Sequence, residues 1–110
     1  MRIGELAART GVSVRAIRYY EDRGLLRSER TVSGHRRFQA DAVERVLFIQ
    51  QLFAAGLTSR TVVSILPCLA SGRLTQPQRE LLLVEAQRLK DRITALQRAR
   101  RLLTGLVAAP

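Results

Sequence analysis

Apolar residues recur at intervals of three and four over the first part of the chain, which predicts two short helices. The first is expected over roughly residues 3–9 and the second over roughly residues 14–23. Ser13 is a typical N-cap for the second helix, and Gly24 is a typical stop. Gly11, between the two helices, permits the left-handed backbone of a tight turn. This spacing is typical of a helix-turn-helix.

The pattern then changes to a short basic stretch in which two strands are expected. Ser33 and Gly34 predict a hairpin turn, and residues 35–38 predict the return strand. A helix-turn-helix followed by a basic hairpin, here called the wing, is typical of a DNA-binding domain.

Helical spacing resumes after the wing and predicts a second pair of helices. Asp41 is expected to cap the third helix, which ends near Gly56. The fourth helix is expected to begin with Thr58 or Ser59 as its cap. Pro67 must end or kink it, because proline lacks the N–H that would continue the hydrogen-bond ladder.

The last segment opens at Pro77 and carries apolar residues at alternating intervals of four and three, a heptad pattern here called the seam. A helix of roughly 30 residues would be ~45 Å long, too long to fold back on so small a domain along its whole length. The seam therefore predicts a partner, most simply a second copy; one helix packed within its own chain along part of its length is the alternative. Arg100 interrupts the seam and would set its register. The seam residues are Leu82, Ala86, Leu89, Ile93, Leu96, Leu103 and Val107.

Charge agrees with a nucleic-acid partner. The chain has 110 residues and a formal net charge of +10, and its first 40 residues carry nine arginines against four acidic residues. Such a chain favours a polyanion. No apolar run approaches the ~18 residues of a membrane span, and no signal peptide is apparent, so a cytoplasmic protein is expected. No catalytic pair or phosphate-binding glycine loop is visible, so an enzyme is not expected.

The segments IGELAARTGVSVRAIRYYEDRGLL, RTVSGHRRF and DAVERVLFIQQLFAAGLT, followed by a long heptad helix, together resemble the MerR family of bacterial transcription regulators. The resemblance implies a mainly α fold, with a winged helix-turn-helix domain and a homodimer formed through an antiparallel coiled coil. It also implies binding to a pseudo-palindromic operator in an over-long promoter spacer. Bending and untwisting of that DNA would let RNA polymerase engage both promoter elements, which is indirect readout.

The same resemblance assigns candidate DNA contacts. Arg15 and Arg18 match the recognition helix and would contact phosphates or base edges. For Tyr20, packing in the core is the alternative. Arg36 matches the wing arginine, and His35 stands where the family usually has tyrosine. The full candidate set is Ser13, Arg15, Arg18, Tyr19, Tyr20, Arg30, His35, Arg36, Arg37 and Arg60.

Sensing features of the family are not expected here. The cysteines of metal-sensing and redox-sensing relatives are absent from the seam helix, and the appended domain of drug-sensing relatives is not expected. No metal and no cofactor are therefore expected, and no effector is indicated. Cys68 is the one cysteine, interpreted either as a small buried apolar residue or as a redox switch.

These observations predict a DNA-binding domain over residues 1–70, a linker over 71–76 and a dimerisation helix over 77–110. The predicted function is that of a homodimeric, sequence-specific regulator of transcription. The alternative is an adaptor that binds another protein through the coiled coil and binds DNA weakly or without specificity.

Overall fold

The structure, a computed structural model, describes the whole backbone and every side chain except that of Ala70. It contains five helices and one two-stranded sheet. Their bounds are α1 Ile3–Thr10, α2 Val14–Asp22, β1 Glu29–Arg30, β2 Arg36–Arg37, α3 Ala42–Ala54, α4 Ser59–Ser71 and α5 Gln76–Ala108. The chain divides into two compact units, Met1–Arg73 and Leu74–Pro110.

The turn between α1 and α2 follows from its local sequence. Gly11 has φ +72°, a left-handed conformation that glycine adopts without strain, and its N–H closes α1 on the carbonyl of Ala7. Ser13 has extended backbone angles, and its Oγ accepts a hydrogen bond from the N–H of Ala16 at 3.1 Å. The predicted helix-turn-helix is confirmed.

In the first unit, α1 packs against α2 and α3, and α3 packs against α4. The spacing of apolar residues puts one face of each helix into a common core. Phe38, after β2, is also buried, and its N–H donates to the carbonyl of Met1 at 2.6 Å. The largest fully buried side chains are Leu6, Ile17, Leu25, Val46, Ile49, Val62 and Ile65.

One detail of the second helix pair differs from the prediction, and another excludes one of two predicted alternatives. Asp41 has helical backbone angles (φ −70°, ψ −9°) and its side chain makes no capping hydrogen bond, since capping requires an extended residue. Pro67 does not end α4, which continues to Ser71 and stops at Gly72 with φ +72°. Beyond the proline the helix closes on its cap, where the N–H of Arg73 donates to the carbonyl of Cys68 and the N–H of Gly72 to that of Leu69.

The second unit consists of α5, a helix of 33 residues. It begins one residue before Pro77, because Thr75 and Gln78 form a capping box that the sequence analysis missed. Thr75 N–H donates to Gln78 Oε1 at 2.9 Å, and Gln78 N–H donates to Thr75 Oγ1 at 3.3 Å. Among the residues that the structure describes, none on α5 is buried.

The fold class is therefore confirmed as a mainly helical, winged helix-turn-helix domain followed by a long helix. In the described part of the chain, no helix has both the length and the apolar character needed to cross a bilayer.

Candidate nucleic-acid interface

The inner face of α2 holds the helix in the core and leaves its outer face in solvent. Ile17 is fully buried, whereas Arg15 and Arg18 are exposed and Tyr19 is 41% exposed. Ser13 is exposed as well, with its hydroxyl already committed to the cap of α2. Two arginines and one tyrosine thus share the exposed surface of α2.

Tyr20 requires a correction, because it lies in the core. Its side chain is 5% exposed, and its ring stacks on Phe53 with 5.9 Å between centroids. The hydroxyl accepts a hydrogen bond from Gln50 Nε2. Burial raises the pKa of Tyr20, and the Gln50 hydrogen bond offsets part of that rise. Tyr20 therefore supports α2 from behind, as the alternative interpretation had it, and we leave it out of the interface.

Tyr19 faces the other way and reaches the start of α4. Its hydroxyl lies 3.0 Å from Ser59 Oγ, and the guanidinium of Arg23 lies 5.4 Å from the centre of its ring. The Ser59 hydrogen bond lowers the pKa of Tyr19, and Arg23 lowers it further. The sequence analysis did not predict either of these partners of Tyr19. The contact to Ser59 joins residues 40 positions apart, so no local sequence pattern indicates it.

The start of α4 adds further hydrogen-bond donors to this region. Thr58 has extended backbone angles and caps α4 by accepting from the N–H of Thr61 at 3.2 Å. Arg60 is exposed and makes no ion pair in the part of the chain that the structure describes. A surface depression joins the end of α2 to the start of α4 and is lined by Arg23, Thr58, Ser59, Arg60 and Val63.

The wing is a short, tightly bonded hairpin. Arg30 pairs with Arg36, and Glu29 pairs with Arg37. The predicted turn is confirmed: Gly34 has φ +83° and donates its N–H to the carbonyl of Thr31 at 2.9 Å. The exposed basic side chains of the wing are those of Arg30, His35 and Arg37.

Arg36, the fourth basic residue of the wing, is half-buried instead. Its Nη1 lies 2.8 Å from Glu21 Oε1 on α2. The N–H vector is not aimed at that oxygen, so the contact is an ion pair without hydrogen-bond alignment. Ser28 Oγ donates to the other oxygen of the same carboxylate. The wing is thus joined to α2 by an acidic side chain that the sequence analysis did not single out.

Cys68 lies on α4 and is half-buried. Its Sγ lies 3.9 Å from the carbonyl oxygen of Ser64, one turn earlier. No cluster of three or more potential metal ligands occurs among the residues that the structure describes.

Comparison with known proteins agrees with this geometry. The family model described as MerR HTH family regulatory protein matches residues 1–67. The chain is 38% identical over 100 residues to the HTH-type transcriptional activator SoxR homolog of Chromobacterium violaceum, a match that covers 89% of this chain and 68% of that protein.

Solved structures show the same architecture. A MerR family regulator of Listeria monocytogenes is 34% identical, with a TM-score of 0.81, over 97% of this chain and 83% of its own. HiNmlR, a MerR family regulator that lacks the sensor domain and was crystallised on promoter DNA, has a TM-score of 0.79 over 97% of this chain and 86% of its own. HiNmlR is 24% identical and therefore supports the fold alone. The family match, the relative and the two folds agree, and the chain belongs to the MerR family of helix-turn-helix transcription regulators.

Proposed function

We propose that this protein is a homodimer that binds a pseudo-palindromic operator in a promoter and regulates transcription by bending and untwisting the spacer DNA. One observation carries the proposal. The outer face of α2, the wing and the start of α4 are joined by two side-chain contacts, Tyr19 with Ser59 and Glu21 with Arg36. Exposed arginines therefore project from a connected scaffold, as recognition of a duplex requires.

Each element has its own role in the proposed interface. Arg15 and Arg18 on α2 enter the major groove, where arginine pairs with guanine edges or adjacent phosphates. The arginines and the histidine of the wing bind the sugar-phosphate backbone. Arg60 and the free N–H groups at the start of α4 bind a further phosphate, because a helix N-terminus carries positive partial charge.

The exposed seam of α5 supports the homodimer. Ile93 is 55% exposed, Leu96 60% and Leu103 63% in the single chain. An apolar stripe of this length is covered at least cost by a second copy of the same stripe. Two copies also supply two recognition helices, which accounts for a pseudo-palindromic target.

Arg100 supports an antiparallel arrangement. In a parallel pair, Arg100 would face the same arginine of the second copy across the seam, and two like charges would be brought together. In an antiparallel pair that uses the whole seam, Arg100 faces Leu89 of the second copy. Its long side chain can then lie along the apolar surface with the guanidinium in water.

Membership of the family supports the remaining parts of the proposal. Bending and untwisting of the spacer would let RNA polymerase engage both promoter elements. The energy of this deformation depends on the sequence of the DNA that is deformed. The protein then acts in the bacterial cytoplasm, where the chromosome and the polymerase are.

Selection of bound duplexes from a random DNA pool, at two salt concentrations, tests the proposal. We expect a pseudo-palindromic consensus whose affinity falls steeply with salt, because several phosphates are neutralised per dimer. Binding without sequence preference would contradict the proposal and favour the adaptor.

A further inference from the structure

A half-buried acidic side chain lies on α2, next to the arginines that the proposed interface uses. Glu21 is 16% exposed, and solvent does not reach its Oε1 atom. A carboxylate here repels the phosphates that the chain is meant to bind, and it costs free energy to bury unless a charge compensates it. Asp22, the next residue, carries the same charge and is exposed. Glu21 therefore has a role that Asp22 does not share.

The contacts of Glu21 indicate that role. Arg36 Nη1, on β2, lies 2.8 Å from the buried oxygen and supplies the compensating charge. Ser28, just before β1, donates its hydroxyl to the second oxygen. One side chain on α2 thus contacts both sides of the wing, and the angle between wing and α2 depends on it.

The guanidinium of Arg36 can serve two acceptors at once. A guanidinium carries five N–H donors in a fixed plane, and Glu21 is close to one of its nitrogens. The Arg36 side chain is 37% exposed, so part of it remains accessible to a phosphate. The ion pair keeps the guanidinium beside Glu21 and so limits the positions from which its exposed part can meet a phosphate.

We infer that Glu21 is a positioning residue that orients Arg36, and with it the wing, for a backbone phosphate of the operator. The inference rests on the proposed function and adds to the DNA-binding machinery a positioning residue that is itself acidic. The inference predicts that removing this negative charge changes DNA affinity in the direction opposite to the usual one. Removal of a negative charge near DNA ordinarily strengthens binding, whereas removal of this one weakens binding to the operator.

The test compares Glu21→Gln with Asp22→Asn, two substitutions that remove the same charge from neighbouring residues. Affinity is measured for the selected operator and for an unrelated duplex. Asp22→Asn is expected to strengthen binding to both duplexes by a similar small factor. Glu21→Gln is expected to weaken operator binding about tenfold and to weaken binding to the unrelated duplex as well, because a backbone phosphate is present in any sequence. Equal strengthening of both duplexes by Glu21→Gln would overturn the inference.

A double-substitution cycle excludes a merely structural role. If Glu21 acts through Arg36, then Glu21→Gln adds nothing once Arg36→Gln is present, whereas independent roles give additive losses. Amide hydrogen exchange of residues 29–37 in the free protein provides a readout without DNA. Faster exchange in Glu21→Gln, but not in Asp22→Asn, supports positioning, and unchanged exchange overturns it. If the wild-type protein prefers no sequence, the proposed function fails, and the exchange measurement by itself decides whether Glu21 positions the wing.

Discussion

The hydroxyl of Tyr19 on α2 lies 3.0 Å from the hydroxyl of Ser59 at the start of α4, across 40 residues of sequence. The Arg23 guanidinium lies over the same tyrosine ring. The recognition helix and the second helix pair are therefore linked at the surface as well as through the core. A linkage at this position can set the spacing of two elements that the proposal places on one DNA duplex.

Tyr19→Phe removes this link and leaves the ring in place. We expect operator affinity to fall about three- to tenfold, since a hydrogen bond that holds two DNA-binding elements together contributes modestly. The melting temperature should change little, because the hydroxyl is exposed. A DNA titration with Ser59→Ala as the matched variant checks the prediction, because both substitutions remove the same bond. Loss of affinity in Tyr19→Phe but not in Ser59→Ala would indicate a direct Tyr19–DNA contact instead.

The two tyrosines are expected to ionise in a fixed order. The Ser59 and Arg23 contacts lower the pKa of Tyr19, whereas burial raises that of Tyr20. The chain has two tyrosines and no tryptophan, so ultraviolet absorbance reports these groups alone. We expect Tyr19 to ionise first, and Tyr19→Phe to remove the earlier step of the titration. A single step for both residues would contradict the structure.

The buried position of Tyr20 also predicts how stability depends on pH. Its folded-state pKa is raised above the ordinary value of 10.0, so the neutral form is retained longer in the folded state than in the unfolded state. Its contribution is therefore complete below pH 10 or so and is lost as pH rises through the folded-state pKa. Free energies of unfolding for wild type and Tyr20→Phe, measured between about pH 8 and 11, should show a smaller alkaline decline in the variant.

Arg18→Ala is expected to weaken operator binding by about 1–3 kcal/mol, as loss of a base or close phosphate contact would. Arg18 is exposed on α2 and is not needed for the core. Arg98→Ala, which removes the same charge from the exposed surface of α5, is the control and should have little effect. Operator affinity equal to that of wild type in Arg18→Ala would rule the contact out.

Dimerisation through the seam is tested by Leu96→Asp against Val84→Asp. The two side chains are similarly exposed in the single chain, at 60% and 55%, but only Leu96 belongs to the seam. We expect sedimentation velocity to show a dimer for wild type and Val84→Asp, and a monomer for Leu96→Asp, because a buried charge in the seam costs several kcal/mol. Equal effects of the two substitutions would argue against the seam as the interface.

The direction of the pair can be tested by crosslinking. In a Cys68→Ser background, an antiparallel pair allows disulfides between chains carrying Leu89→Cys and chains carrying Arg100→Cys. A parallel pair instead joins two Arg100→Cys chains, because only that arrangement brings like positions together. Gel analysis of the separate and mixed proteins after mild oxidation distinguishes the two.

The sequence by itself determined the features that depend on neighbouring residues. The Ser13 cap, the left-handed Gly11, the Gly34 turn and a cap at Thr58 or Ser59 were all predicted, because a cap or turn is set by hydrogen bonds within three or four residues. The local rule for caps failed at Asp41, whose predicted capping hydrogen bond is not formed, and the end of α4 lies beyond Pro67. The helical backbone angles of Asp41 leave no role for a capping side chain, and tertiary packing of Val62, Ile65 and Leu66 holds α4 together on the N-terminal side of Pro67.

Only the tertiary structure decided which functional residues share contacts. Tyr19 and Tyr20 are adjacent and chemically alike, yet one faces Ser59 in solvent and the other stacks on Phe53 in the core. Their difference arises from the 100° turn between successive helical residues and from helices distant in sequence. The ion pair between Glu21 and Arg36 has the same origin. Local spacing defines each helix, but the packing of helices and wing in three dimensions selects the partners of their side chains.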